Sequence, residues 1–382
     1  MSGIYFHIPF CKQACYYCNF HFSTSLKYKD EMIAAMLKEL SLTKMIHINN
    51  TSADNYVNTI STIYFGGGTP SLLSIDEINK LLDTIKNLYN VDANAEITLE
   101  ANPDDINETK LNEWKAAGIN RLSLGIQSFK QQDLQWMNRV HNAEQALQSI
   151  KMIKEAGFTN YSIDLIYGTP TLEDDEWKIN VETAIALKIP HMSCYALTVE
   201  PSTALQKMIT QKKVKDIEPD KQARHFLFLM NRMKEAGYEH YEISNFALPG
   251  YRSRHNSSYW QAKPYIGIGP SAHSYQGNTR SWNVSNNALY IESLKNNIVP
   301  CEKEGLTATQ QLNEYIMTSL RTIEGLDLNF IKEKFGEENS KKIVEESLKF
   351  QKTGKLTIID RRFILTDEGK LFADGIAADL FF

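Results

Sequence analysis

Six strand-like runs alternate with five helix-like runs through the first part of the chain, and this rhythm restricts the fold more than any other feature. Strand signals fall at 4–10, 60–65, 95–99, 121–125, 161–166 and 191–197, and helical signals at 27–45, 75–88, 108–117, 143–156 and 174–187. In the first helix Met32, Ile33, Met36, Leu37 and Leu40 recur at helical spacing. Gly118 and Gly157 stand where helices end in a left-handed residue. Such repetition predicts a parallel sheet covered by helices. By analogy with barrels, ligands should gather at the carboxyl ends of the strands. Polar and glycine residues cluster there: Gly66, Gly67, Gly68 and Thr69 after strand two, Glu100 and Asn102 after strand three, and Gln127 and Ser128 after strand four. Asp164 lies near the end of strand five, and Tyr195 and Ala196 near that of strand six. Singly, these residues have ordinary explanations: a tight turn, a helix cap, a satisfied polar group or half of a core salt bridge. Their common phase with six strands points to a site.

Strand one runs directly into Cys11-Lys-Gln-Ala-Cys15-Tyr-Tyr-Cys18, three of the five cysteines. An odd, sparse cysteine count argues against a disulfide framework. Two metal readings stay open. His21 could complete a Cys3His zinc site. Alternatively, the thiolates hold three corners of a [4Fe-4S] cube whose fourth iron is left for an exogenous ligand, since Cys194 and Cys301 are distant in sequence. In the second reading the loop resembles the radical S-adenosylmethionine (SAM) superfamily, where the amino and carboxylate groups of SAM chelate the open iron. That resemblance implies an α/β fold with an open partial (β/α)6 barrel.

Lys plus Arg total 41 against 46 for Asp plus Glu, so the formal net charge is −5 and bulk electrostatics call for neither nucleic acid nor an anionic membrane. A hydrophobic fraction of 42% at 382 residues fills one large core and a smaller one. The first apolar stretch is short and interrupted by His7 and Pro9, so no signal peptide is expected, and no run reaches the ~18 residues of a membrane span. These features lead us to expect a cytoplasmic protein in a reducing compartment.

The resemblance narrows on Tyr5-Phe-His-Ile-Pro-Phe-Cys11, Phe65-Gly-Gly-Gly-Thr-Pro-Ser71, Glu100-Ala-Asn-Pro103, Leu124-Gly-Ile-Gln-Ser-Phe129, Asn138-Arg-Val-His141 and Asp164-Leu-Ile-Tyr-Gly-Thr-Pro170. Together they are similar to the oxygen-independent coproporphyrinogen III oxidase family. Residue by residue, this implies cluster ligation by Cys11, Cys15 and Cys18, and SAM contacts from Tyr5, Gly67, Gly68, Thr69, Glu100, Gln127, Arg139 and Asp164. On chemical grounds, Gly67 and Gly68 allow close backbone approach of a ligand, the acidic and amide side chains accept from ammonium and ribose groups, and Arg139 is a fork for a carboxylate. The oxidase branch carries an additional cysteine two residues after the third ligand and an extension ahead of the first strand. Here Phe20 occupies that position and four residues precede Tyr5. Both departures resemble the heme chaperone branch.

His255-Asn-Ser-Ser-Tyr-Trp260 is similar to the H-N-x-x-Y-W heme motif of that branch. Heme asks for an axial ligand, an aromatic wall and cations for its propionates; His255, then Tyr259 with Trp260, then Arg252 with Arg254 offer these, and His273 is a rival ligand. From about 307 the alternation stops. Helical signals at 310–321, 328–335 and 340–351, strands at 356–359 and 362–365, and a last helix from Asp367 resemble a winged-helix module without a basic stripe. We therefore expect three parts: a radical SAM barrel over 1–245, a connecting segment with the heme motif over 246–306, and a small α+β winged-helix-like domain over 307–382. Two functions of different class remain. One is a carrier that binds heme, a cluster and SAM and delivers heme to a respiratory or membrane-associated acceptor, as monomer or homodimer. The other is an oxidase that decarboxylates porphyrinogen propionates with SAM.

Overall fold

The computed structural model describes residues 2–50 and 59–382. Its first two-thirds runs β1 (Ser2–Ile8), α1 (Lys29–Asn50), β2 (Thr59–Gly67), α2 (Ile75–Leu88), β3 (Asn90–Ala101), α3 (Glu108–Ala117), β4 (Arg121–Gln127), α4 (Gln131–Trp136), α5 (Ala143–Glu155), β5 (Tyr161–Tyr167), α6 (Asp174–Ala186) and β6 (His191–Ala196). Strands β1 to β6 pair in sequence order, all parallel, as the alternation predicts. Local chemistry sets the helix limits. Ser74 and Glu77 form a reciprocal capping box at α2, Asn142 and Gln145 another at α5, and Gly118 closes α3 at φ 100°. The buried face of α2 is Ile78, Leu81, Leu82 and Ile85, each worth about 1.5–3 kcal/mol on removal from water.

The next stretch comprises α7 (Ala204–Thr210), α8 (Pro219–Glu235), β7 (Glu239–Glu242), β8 (Asn245–Ala247), α9 (Arg254–Trp260), β9 (Tyr265–Ile268), β10 (His273–Tyr275), β11 (Thr279–Asn283), α10 (Asn287–Lys295) and β12 (Cys301–Gly305). Here the structure corrects the expected connecting segment. β9 joins β1 in parallel, and β10, β11 and β12 continue outward from it, while β8 and β7 extend the edge of β6. Tyr290, Ile291 and Leu294 belong to the same apolar core as β1 to β6. Residues 246–306 are therefore part of a twelve-stranded sheet rather than a connector.

A second core organises α11 (Ala308–Leu320), β13 (Leu326–Asp327), α12 (Leu328–Phe335), α13 (Glu337–Lys352), β14 (Leu356–Ile359), β15 (Arg362–Leu365), α14 (Asp367–Lys370) and α15 (Ala373–Asp379). Three helices precede the β14–β15 hairpin, and β13 adds a third strand beside β15. Arg321 joins this domain to the barrel. It donates from Nε to Glu242 (3.0 Å) and from Nη1 to Asp374 (2.8 Å), and its guanidinium lies 5.3 Å from the centre of the Trp260 ring. Among the described residues no helix is long and apolar enough to cross a membrane.

The amino-terminal ends of the strands are closed by α9. The backbone N–H groups of Arg254 and His255 donate to the Glu96 carboxylate (3.1 and 3.0 Å), placing an anion at the start of the helix. Glu96 in turn lies 3.7 Å from Arg121, whose Nη1 donates to Ser162.

Candidate functional site

At the opposite, carboxyl ends lies a cavity of about 440 Å3, lined by residues from every strand of the parallel set except β1 itself, whose trailing loop supplies the cysteines. That loop is held on two sides. Gly68 and Thr69 donate backbone N–H bonds to Ile8 and Phe10 on the strand side. Across the cavity Gln13 donates to the Asn138 carbonyl (2.9 Å), Asn138 Nδ2 to Ala14 (2.8 Å), and Tyr16 N–H to Met137 (3.2 Å). Lys12 pairs with Asp104 (2.6 Å) and Asp105. Cys11, Cys15 and Cys18 all face the cavity, and each sulfur has its own donor: Thr69 for Cys11, Arg139 Nη1 for Cys15 (3.3 Å) and the Phe20 N–H for Cys18. Burial still raises the Cys11 thiol above its usual range and pushes Cys18 up to about 11, with the neighbouring thiols adding to the effect. The set suits thiolates bound to metal rather than free thiolates.

The donors also bear on which metal fits. Among the described residues no three His, Cys, Asp or Glu side chains close around one ion. His21 faces a different cavity and bonds through Nε2 to Asn287 Oδ1 (2.8 Å). A tetrahedral zinc ion would need its ligands around a single centre. A cube binds each sulfur through a different iron, and the separated thiols fit that group.

Glu100 and Asp164 face the same cavity. Enclosure raises Glu100 to about 8, partly offset by Tyr64 Oη (2.8 Å) and Gly67 N–H donating to it, while Asp164 opposes its ionisation. Asp164 is raised to about 6 by enclosure, with a nearby Ser193 hydroxyl, Arg121 and Arg139 pulling it down. Two carboxylates held this high, even with Arg121 and Arg139 acting on Asp164, leave a place for further cationic compensation, which a ligand ammonium would supply. Gln127 ends β4 at φ 64°, a conformation uncommon outside glycine and found at functional sites. Arg139 is aimed by its neighbours: Nη2 donates to Asn102 Oδ1 (2.7 Å) and to the Gly125 carbonyl (2.9 Å). Its buried Nε has no partner within the protein and remains available to a ligand carboxylate. The orphan donor and the acidic pair fit an amino acid zwitterion such as that of SAM.

Gly67, Gly68 and Thr69 line the cavity, but the glycines answer mainly to the protein. A Cβ on Gly67, at φ 102°, would lie 2.8 Å from the His7 ring, and one on Gly68 would lie 2.5 Å from the Phe10 carbonyl. Close approach of β1 is therefore a reason for glycine here that the sequence did not disclose, beside the close approach of a ligand expected from it. Tyr17, Gln13, Ser123 and Thr198 also line the cavity. Gln13 and Tyr17 carry a sequence signal, their places between the cysteines; Ser123 and Thr198 carry none.

Two expected residues lie elsewhere. Tyr5 does not line this cavity; it stacks on Tyr64 and faces a second cavity of about 330 Å3, together with His7, Asn19, Phe20, His21, Tyr259, Tyr265, Ser271 and His273. His255 is 1% exposed, with Nδ1 2.8 Å from Thr62 Oγ1 and Nε2 2.8 Å from Tyr259 Oη. Its partner Thr62 lies five residues down β2 from Gly67, roughly 16 Å at strand rise. Both nitrogens are engaged, so His255 cannot meet an iron without giving up a hydrogen bond. Arg252 pairs with Glu239 and Glu324 and is not free for a propionate, whereas exposed Arg254 spends Nη1 on the Asn94 carbonyl. His273, the rival, is exposed.

Comparison with known proteins accords with this arrangement. The Radical SAM superfamily profile matches residues 5–184, and the HemN C-terminal domain profile matches 306–372. The chain is 33% identical over 381 residues to the heme chaperone HemW of Bacillus subtilis (strain 168), covering 98% of each. It is 36% identical over 276 residues to that of Escherichia coli (strain K12), covering 71% of this chain and 69% of the other. Its fold is similar to that of coproporphyrinogen III oxidase (HemN) from Escherichia coli, with a TM-score of 0.84 at 22% identity, covering 99% of this chain and 89% of that one. Sharing a third of its residues with a HemW protein from end to end, the chain belongs to the HemW family within the radical SAM superfamily.

Proposed function

We propose that the chain is a heme carrier of a reducing, cytoplasmic compartment that holds a [4Fe-4S] cluster and SAM at the strand ends and passes heme to an acceptor protein, respiratory or membrane-associated. The observation that carries this reading is the end-to-end similarity to proteins named heme chaperones, together with Phe20 standing where the resembling oxidase branch has its additional cysteine. The cluster, when bound by Cys11, Cys15 and Cys18, would offer its unligated iron to the amino and carboxylate groups of SAM. Around that point Arg139 Nε would orient the carboxylate, Glu100 and Asp164 would compensate cationic charge and accept from the ribose, and Gly67, Thr69 and Gln127 would line the nucleoside path. Phe20 is 65% exposed and borders both cavities, so its apolar ring offers no thiol to substrate or cluster.

The test is anaerobic incubation of cluster-reconstituted protein with SAM, reductant and coproporphyrinogen III, beside a titration with heme. A shifted Soret band on heme addition, with no protoporphyrinogen formed, is the expected result. Robust SAM-dependent decarboxylation would assign the chain to oxidase chemistry instead.

A further inference from the structure

The second cavity and the buried His255 together point to the atom that binds iron. We propose that, in the heme-carrying reading above, ferric heme is ligated in the second cavity by the phenolate oxygen of Tyr259, with His255 as a positioning residue behind it rather than as the ligand. Tyr259 lines that cavity and packs edge-on against Tyr265, their ring centres 4.6 Å apart. Its hydroxyl oxygen lies 2.8 Å from His255 Nε2, and the far side of that ring meets Thr62 Oγ1 at 2.8 Å; in the tautomer protonated at Nδ1 the phenol donates to Nε2. Tyrosine is an established axial ligand for heme iron, and as an anionic oxygen it favours the ferric state.

The proton balance selects Tyr259 over Tyr5, which also faces the cavity and lies 3.2 Å from a histidine nitrogen, His7 Nδ1. As the iron–oxygen bond forms, water leaves the iron and the phenol proton passes to solvent. The imidazole behind the oxygen must then donate where it had accepted. His255 can do so while neutral, because Thr62 is a hydroxyl: it accepts from Nδ1–H before ligation and donates to Nδ1 afterwards. His7 cannot, because its Nε2 faces the His21 carbonyl at 2.8 Å, which only accepts, so its Nδ1 stays an acceptor in the neutral ring. Burial keeps both rings neutral, holding His255 at about 3 and His7 at about 4. The spacing of the motif follows: residues four apart on α9 stand side by side, so the histidine can be buried while the tyrosine meets the ligand.

The experiment titrates hemin into the full, cluster-reconstituted chain and records absorption and resonance Raman spectra. Wild type should show a phenolate-to-iron charge-transfer band and an iron–phenolate vibration. Tyr259→Phe, which keeps the ring packed on Tyr265, should lose both and bind hemin about tenfold or more weakly. His255→Gln, which can still donate to the oxygen, should keep the vibration at a shifted frequency. Cluster absorption unchanged in each variant verifies folding. A Tyr259→Phe spectrum identical to wild type, or loss of the wild-type spectrum in His273→Ala with Tyr259 intact, would overturn the assignment while leaving heme carriage standing. Absence of hemin binding by wild type would sink the carrier reading and this inference with it.

Discussion

Arg139→Met is the sharpest probe of how the cavity is built. Methionine keeps most of the aliphatic stem and removes the charged fork, so the change isolates the bonds to Asn102 Oδ1 (2.7 Å), the Gly125 carbonyl (2.9 Å) and Cys15 Sγ (3.3 Å). Hydrogen bonds from a charged donor contribute about 1.5–3 kcal/mol each, so the two short ones to oxygen amount to about 3–6 kcal/mol. The cavity borders solvent, and water can reach the freed carbonyl oxygens, which cuts that figure by about half, to about 1.5–3 kcal/mol of folding stability. Arg139→Lys should recover about half of the loss, because an ammonium cannot span acceptors that a planar fork reaches together. Anaerobic urea denaturation of the cluster-free protein measures both variants. A loss below about 0.5 kcal/mol for Arg139→Met, the range of an ordinary surface change, would mean that the fork does not tie the cysteine loop to β4.

Cys11→Ala, Cys15→Ala and Cys18→Ala should each fail to retain stoichiometric iron and sulfide after reconstitution; full cluster content in any one of them would remove that residue from the ligand set. Glu100→Ala and Asp164→Ala should each weaken SAM binding by about 1–3 kcal/mol in calorimetry, because a group of the ligand is left unpaired in an enclosed site. Unchanged affinity in both would place SAM elsewhere. Glu39 is buried between α1 and the β9–α10 region, accepting from Gly269 N–H (2.8 Å), Asn283 Nδ2 (2.6 Å) and Tyr290 Oη, and burial raises it from 4.5 to about 7. The folded state keeps a proton that the unfolded chain has already released, so this group's contribution should fall as pH rises from about 4.5 to about 7. Urea midpoints at about pH 5 and about pH 8 should show a smaller pH dependence in Glu39→Gln than in wild type, and equal slopes would refute the reasoning.

What the sequence disclosed and what it hid follow from element length and burial. Helices α2 and α3 match their expected bounds because buried apolar residues and a polar N-cap coincide in both, and a terminal glycine adds to them in α3. β9 to β12 are three to five residues long, and outside β9 most of their residues are partly or fully exposed, so no alternation marks them. β13, two residues long, and α4, six, are likewise too short to show a period. The strand-end residues were legible because one phase recurs across six strands, and the cavity does gather Cys11, Cys15, Cys18, Glu100, Gln127, Arg139 and Asp164. The heme motif was the harder part. Its letters carry no sign of which side chain points inward, and that direction emerged only once α9 was seen to close the barrel floor over Glu96.

The turn after β2 and the cysteine loop are laced together through Ile8 and Phe10, and this gives the cavity an unexpected mechanical character. A side chain added at Gly68 would not intrude on the ligand; it would press on the Phe10 carbonyl, one residue ahead of Cys11. The glycine turn and the sulfur-bearing loop therefore shift as a single plate, and damage at the glycines should register first in iron content after reconstitution. The spacing between the glycine turn and the cysteine loop is thus set by strand register.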